Sequence, residues 1–375
     1  MRILELGKFY PPHHGGMETL LRVWSEGFAR LGARVDCVVA NDAPRTVHED
    51  LNGVCVHRLT SYGTLFSTSV CPGYLDGARR YPADLWQAHF PNPLADVACL
   101  RGDRSTPLVL TYHSDVIRQA FLMRFYRPLM QRLLERASCI TVATPQHIEF
   151  SPWLGPYRDK CEVIPFGINL ARLEHSPAVA AAEEALRREA GGRPIVLTIG
   201  RLVGYKGQTH LIAALRELDA TLWLVGTGPL EQELRNQVAA LGLADRVRFW
   251  GAVAEERLPA LLHACDVFAL PSVTPNEAFG LVQVEAMACG KPVVSCALRS
   301  GVPFVNQDGV TGLIVPPGEA GALAVALRRL IGNDALRACL GEAGRKRAWQ
   351  EFEESVMLGR YWRLFERLTV PSQRP

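Results

Sequence analysis

Strand-length apolar runs alternating with amphipathic helical stretches predict an α/β protein built of two doubly wound, parallel-sheet domains. Three observations carry this expectation. The apolar runs are continuous rather than alternating, as strands covered on both faces require. The chain has 375 residues, too many for one compact core and enough for two. A seam interrupts the pattern, running from Ile164-Pro-Phe-Gly-Ile-Asn169 to Gly191-Gly192-Arg193-Pro194, and the Ala/Glu/Arg helix between reads as solvent-facing.

Taken in order, strands are expected at 2–6, 35–39, 54–58, 85–89, 108–112, 139–143 and 161–164, then at 195–199, 221–225, 247–250, 267–270, 292–295 and 312–315. Each is a short apolar run closed by turn residues. Helical periodicity marks 17–31, 119–136, 209–217, 231–241, 256–264 and 321–331, and a last helix is expected near 349–368. The domains are set at 1–170 and 171–349.

Composition excludes several classes. With 48% hydrophobic and 21% charged residues the balance is that of a globular protein. A net charge of +3, from 41 basic and 38 acidic residues, lacks the excess of a nucleic-acid binder. The N-terminus carries Glu5 early and runs into Pro11-Pro12, so it reads as a first strand and not a signal peptide. No run approaches the roughly 18 apolar residues of a membrane span. Ten scattered cysteines without a C-x-x-C read as reduced, buried thiols, and the expected location is the cytoplasm.

The segment PSVTPNEAFGLVQVEAMACGKPVV places Glu277 and Glu285 on either side of a Phe279-Gly280-Leu281 turn that opens a helix. Backbone N–H groups at a helix start suit a phosphate, and Gly280, without a Cβ, lets it approach closely. The two carboxylates can then take hydroxyls on either side of that phosphate. The segment resembles the E-x7-E signature of the retaining glycosyltransferases of family 4. That resemblance implies the GT-B fold, two Rossmann-like domains facing a central cleft, with the terminal helix 350–370 crossing back to the first domain. It also implies that Glu277 holds donor-sugar hydroxyls and Glu285 the ribose. The likeness covers nearly the whole chain, is strongest at 196–316 and weakens across 40–80.

The loops at the expected strand ends supply the other candidates. Gly200-Arg201-Leu-Val-Gly204-Tyr-Lys206-Gly207 follows a strand and offers two cations five residues apart, a bidentate fork and a point charge for a diphosphate. It resembles the family's G-R-x-x-x-x-K-G segment and lacks P-loop spacing. Gly15, Gly16 and Glu18 open the first helix, resembling P-x-x-G-G-x-E; no G-x-G-x-x-G dinucleotide fingerprint is present. In this loop His13 and His14 read equally as solvated. His113 ends a strand in Thr111-Tyr112-His113-Ser114-Asp115 and resembles the family's strand-end His beside the reacting sugar. Asp115 is expected to orient His113 or meet the acceptor, and His89 to line the acceptor side. Gly226 and Gly228 resemble a turn near the nucleotide, and Trp250 lies in a stretch like the loop facing the base; both also fit ordinary turns and core aromatics.

No D-x-D motif occurs, so no metal or other cofactor is expected, and Arg201, Lys206 and helix-end amides must meet the leaving charge. The resemblance implies front-face transfer with retention, from GDP-mannose or a UDP-hexose to a saccharide or lipid-linked hydroxyl. Between 101 and 140, seven Arg face three acidic residues, interleaved with large apolar ones. That stretch reads either as a packed helix or as a peripheral contact with the inner face of the cell membrane. Rival readings are a nucleotide-sugar 2-epimerase of similar fold and a non-catalytic nucleotide-sugar-binding partner. The Arg/Lys and paired-Glu segments favour transfer.

Overall fold

A computed structural model describes residues 1–13, 16–65, 68–115 and 120–370. The chain divides into two compact units, one of residues 1–165 with 354–375 and one of residues 166–353. The chain leaves the first unit after Pro165 and re-enters it at Glu354, rather than at 170 and 350.

The first unit holds an eight-stranded sheet. Its strands are β1 (Arg2–Leu6), β2 (Arg34–Ala40), β3 (Val47–Leu51), β4 (Val54–Leu59), β7 (Leu85–Phe90), β8 (Leu108–Tyr112), β9 (Cys139–Val142) and β10 (Cys161–Val163), and a separate two-stranded ribbon is formed by β5 (Thr64–Leu65) and β6 (Thr68–Ser69). The order is β10-β9-β8-β7-β1-β2-β4-β3, parallel except for the β3–β4 hairpin. The central strands are buried throughout, which is why they read as unbroken apolar runs. Edge strand β3, Val-His-Glu-Asp-Leu, is half-exposed along its length, so its pattern is polar and no strand was expected there. Its signal is the Asn52-Gly53 pair, with φ of +52° and +82°, the turn geometry that joins two-residue hairpins.

The expected terminal helix near 349–368 is two helices, Asp334–Glu351 and Glu354–Thr369, broken at Phe352. The second packs on helix Gly16–Arg30 of the first unit. Trp24 Nε1 donates to Met357 Sδ at 3.1 Å, and Arg30 pairs with Glu354 at 2.5 Å. Gly27 lies at this crossing, where a Cβ would come 2.4 Å from the Leu358 side chain, so a larger residue would require that leucine to shift.

The second unit holds six parallel strands, β11 (Ile195–Ile199), β12 (Thr221–Val225), β13 (Val247–Gly251), β14 (Val267–Leu270), β15 (Val293–Cys296) and β16 (Gly312–Val315). Their order is β13-β12-β11-β14-β15-β16, the reversal between β11 and β14 being the topological switch of a doubly wound sheet. The connecting helix Pro177–Glu189 starts at Ser176, whose Oγ accepts from the Val179 amide, and buries only Leu186, as a solvent-facing helix should. Among the described residues no helix is long and apolar enough to cross a membrane. Residues 116–119, within the basic stretch 101–140, lie outside the described residues.

Candidate active site

In the second unit the predicted residues gather at the carboxyl edge of β11, β12 and β14. The loop after β11 begins at Gly200, whose φ is +153°, and passes through a short 3-10 turn, Gly204–Lys206, to Gly207. A Cβ at Gly207 would lie 2.1 Å from the Pro271 carbonyl, so this loop lies flush on the segment leaving β14. That contact brings Lys206 to Glu277, with Nζ 2.5 Å from Oε2, and Ser272 Oγ donates to the same oxygen at 2.9 Å. Glu277 is 8% exposed. Arg201 differs. Its carbonyl accepts from Gln208 Nε2 at 3.0 Å, while its guanidinium is exposed and bonds to none of the described residues.

Gly226 and Gly228 after β12 have a structural cause. A Cβ at Gly226 would meet the Gly200 carbonyl at 2.1 Å, and one at Gly228 the Leu202 carbonyl at 2.4 Å. The two loops are stitched together by backbone bonds, Leu202 N to Thr227 O at 2.9 Å and Leu230 N to Leu202 O at 3.1 Å. These glycines therefore set the position of the Arg201 loop.

Gly280 adopts the left-handed conformation (φ +72°) and caps helix Leu281–Ala288. None of the amides of Phe279, Gly280 and Leu281 donates to a backbone carbonyl among the described residues. They are the orphan donors of a helix start, held where β14 ends. The Phe279 side chain is buried against Phe166 and Phe352, at centroid distances of 5.2 and 5.8 Å, and anchors the turn from behind. Glu285, inside the helix, pairs with Arg172. Burial raises its pKa, and Arg172 partly offsets that. Arg172 lies in the seam and had no sequence signal. Trp250 sits in β13, an edge strand, with the Arg248 and Arg257 guanidinium carbons 3.7 and 4.9 Å from its ring centre. Its Nε1 is buried and bonds to none of the described residues.

In the first unit His113 follows β8, is 8% exposed, and its amide donates to the Phe90 carbonyl at 3.0 Å. His89 lines a small pocket with Gly7, Lys8, Glu18 and Asn92. It lies behind His113, 4% exposed, with Nδ1 3.1 Å from His113 Nε2 and Nε2 3.0 Å from Glu5 Oε2. Asp115 does not orient His113. Its Oδ1 accepts from Tyr112 Oη at 2.6 Å and Ser151 Oγ at 2.7 Å, which ties the loop after β8 to the loop after helix Pro145–Phe150. Gly16 is the first residue of its helix, and among the described residues nothing lies within 4 Å of its Cβ position. Gly15 lies outside the described residues. Sequence reasoning missed Glu5 as a site residue, although a carboxylate inside the apolar run Ile3-Leu4-Glu5-Leu6 is itself a signal of a buried role.

Residues 182–347 match the family Glycosyl transferases group 1, and residues 15–167 match the Glycosyl transferase 4-like domain. The O-antigen chain mannosyltransferase C of Escherichia coli is 32% identical over 377 aligned residues, covering 98% of this chain and 99% of the relative. The D-rhamnosyltransferase WbpZ of Pseudomonas aeruginosa is 35% identical over 335 residues, covering 88% and 86%. Among solved structures, Anabaena HepE in complex with UDP superposes with a TM-score of 0.78 at 26% identity, covering 98% of this chain and all of that one. The two Rossmann-like units are those of GT-B glycosyltransferases. With both family segments present and a relative matched end to end, the chain belongs to the group 1 glycosyltransferases.

Proposed function

We propose that this enzyme transfers a hexose of mannose or glucose type from a nucleotide diphosphate sugar to a hydroxyl acceptor, with retention and without a metal ion. The product is a polysaccharide, glycolipid or similar glycoconjugate. The observation that carries the reading is the grouping of Arg201, Lys206, Glu277 and the unbonded amides of 279–281 at one sheet edge. The names of the mannosyl- and rhamnosyltransferase relatives support the sugar class, and the UDP held by HepE supports a nucleotide donor.

In this reading the Arg201 fork and Lys206 meet the diphosphate, and the amides at Gly280 and Leu281 take the remaining phosphate oxygens. Glu277, steadied by Lys206 and Ser272, accepts hydrogen bonds from the sugar hydroxyls. Glu285 accepts from the ribose, and Trp250 lies toward the base. As the glycosyl–oxygen bond breaks, the departing diphosphate gains negative charge and the anomeric carbon becomes oxocarbenium-like. The acceptor oxygen then attacks from the face the diphosphate leaves, and its proton passes to that diphosphate. Preorganised donors of this kind contribute about 2.7–4 kcal/mol each to the transition state. In the same reading His113, just beyond β8, is the strand-end histidine that faces the reacting sugar. Location at the inner face of the cell membrane is part of the proposal, resting on the basic stretch at 101–140.

The test is a panel of GDP-mannose, UDP-glucose, UDP-galactose and UDP-N-acetylglucosamine, assayed for binding and slow hydrolysis with EDTA present. Saturable binding of one donor, weakened in Arg201→Ala, is the expected result. A folded protein that binds none of the four, or that turns over only after a divalent metal is returned, overturns the reading.

A further inference from the structure

Three strands of the first unit send one ionisable side chain each to a common line. Glu5 stands on β1, His89 on β7 and His113 just beyond β8, and these strands are successive neighbours in the sheet. Glu5 Oε2 lies 3.0 Å from His89 Nε2, and His89 Nδ1 lies 3.1 Å from His113 Nε2. The Trp24 indole roofs the line, with its ring centre 5.0 Å from His89 and 5.8 Å from His113. The other Glu5 oxygen, Oε1, is buried and bonds to none of the described residues.

A neutral imidazole carries one N–H, so the two bonds of His89 must run in the same direction along the line. With Glu5 protonated, its O–H donates to His89 Nε2, His89 Nδ1–H donates to His113 Nε2, and His113 keeps its proton on Nδ1. With Glu5 ionised, both bonds reverse, and His113 Nδ1 becomes an acceptor. The proton lost overall is the one from His113 Nδ1.

Burial raises Glu5 well above the usual carboxylate range and lowers both histidines, His89 to about 3, all of which favours the first arrangement over the second. The titratable neighbours are neutral as well. Burial raises Tyr10, Cys37 and Tyr361 and lowers His147. Arg22 and Glu26 act on Tyr10, and Arg58 and Asp36 on Cys37, less than burial does.

We propose that Glu5 and His89 are positioning residues that act through His113, fixing which tautomer it presents to the reaction. The proposal deepens the reading of His113 as a sugar-facing group and rests on it.

Two measurements on the full-length protein test it. Ring nitrogen NMR of histidine-labelled protein reads the tautomer without reference to activity. At neutral pH the wild type should show His113 protonated on Nδ1. Glu5→Gln, whose amide N–H can still donate to His89, should look the same, and Glu5→Leu should show a mixture. In kinetics, Glu5→Leu should lose kcat by about 10- to 100-fold with KM little changed, the scale found for carboxylates that orient metal-binding histidines. Glu5→Gln should restore kcat and lose the alkaline limb of its pH profile. A wild-type His113 protonated on Nε2, or a Glu5→Leu protein with unchanged tautomer and kcat, overturns the proposal. If Glu5→Leu fails to fold, an alkaline limb in Glu5→Gln identical to wild type overturns it. Tautomer control with no change in kcat would instead overturn the place of His113 in the reaction.

Discussion

Lys206 Nζ lies 2.5 Å from Glu277 Oε2, a bond that spans 71 residues of sequence and joins two motifs into one group. The lysine loop leaves β11 and the glutamate loop leaves β14, adjacent parallel strands that deliver both to the same edge. With 13% and 10% of their side chains exposed, the partners are held in place before any donor arrives.

Because the two act as a unit, Lys206→Ala and Glu277→Ala should each lower kcat/KM by about 10²- to 10³-fold, the scale of one preorganised donor. The double variant should lose much less than the product of the two, since each single change already breaks the pair. A double-mutant cycle on kcat/KM, with unfolding midpoints as a control, checks this. Fully multiplicative losses would mean that the two side chains act independently.

The Arg201 guanidinium bonds to none of the described residues, and the side-chain contact from Gln208 runs to the Arg201 backbone carbonyl, which substitution leaves in place. Arg201→Ala should therefore leave the unfolding midpoint unchanged while weakening nucleoside diphosphate binding by about 1.5–3 kcal/mol, the worth of a charge-assisted hydrogen bond. Titration calorimetry with GDP and UDP measures it. Equal affinity of variant and wild type for the nucleotide that binds would place Arg201 outside the site.

Gly226→Ala should destabilise the second unit, because φ is +125° and the new Cβ would meet the Gly200 carbonyl. Strain of this kind costs about 1–3 kcal/mol, and each kcal/mol lowers the midpoint of a unit this size by about 2–4 °C. Gly204→Ala is the control, as nothing lies within 4 Å of its Cβ position. Equal midpoints for the two variants would refute the packing role assigned to Gly226.

Asp96 is buried beside Tyr126, and burial pushes its pKa up to about 8. A carboxyl whose folded pKa is raised stabilises the fold fully below its unfolded pKa. That contribution is lost as pH rises through the folded value. Wild-type stability should therefore fall relative to Asp96→Asn between about pH 4 and pH 8, by at most about 1.4 kcal/mol per pH unit. Unfolding midpoints of both proteins across this range test the sign. A gap between them that stays constant with pH would contradict a protonated Asp96.

The parallel strands were legible because burial on both faces leaves a continuous apolar run, as in Leu108–Tyr112 and Thr221–Val225. Strand β3 was not, since an edge strand with one face exposed and the other only partly covered keeps polar residues. In the same way the E-x7-E and G-R-x-x-x-x-K spacings were legible, because loop chemistry is local. Arg172, 113 residues from the Glu285 it pairs with, was not.

What the sequence by itself determined is the succession of strands and helices, the left-handed glycine that opens helix Leu281–Ala288, and which loops carry charge. Those follow from short-range sterics and hydrophobic period, which each segment holds alone. Only the tertiary structure decided that His89 stands behind His113 with Glu5 beyond it, and that Asp115 serves Tyr112 and Ser151. Those partnerships depend on strand order and on burial, which fix a side chain's neighbours and its protonation together.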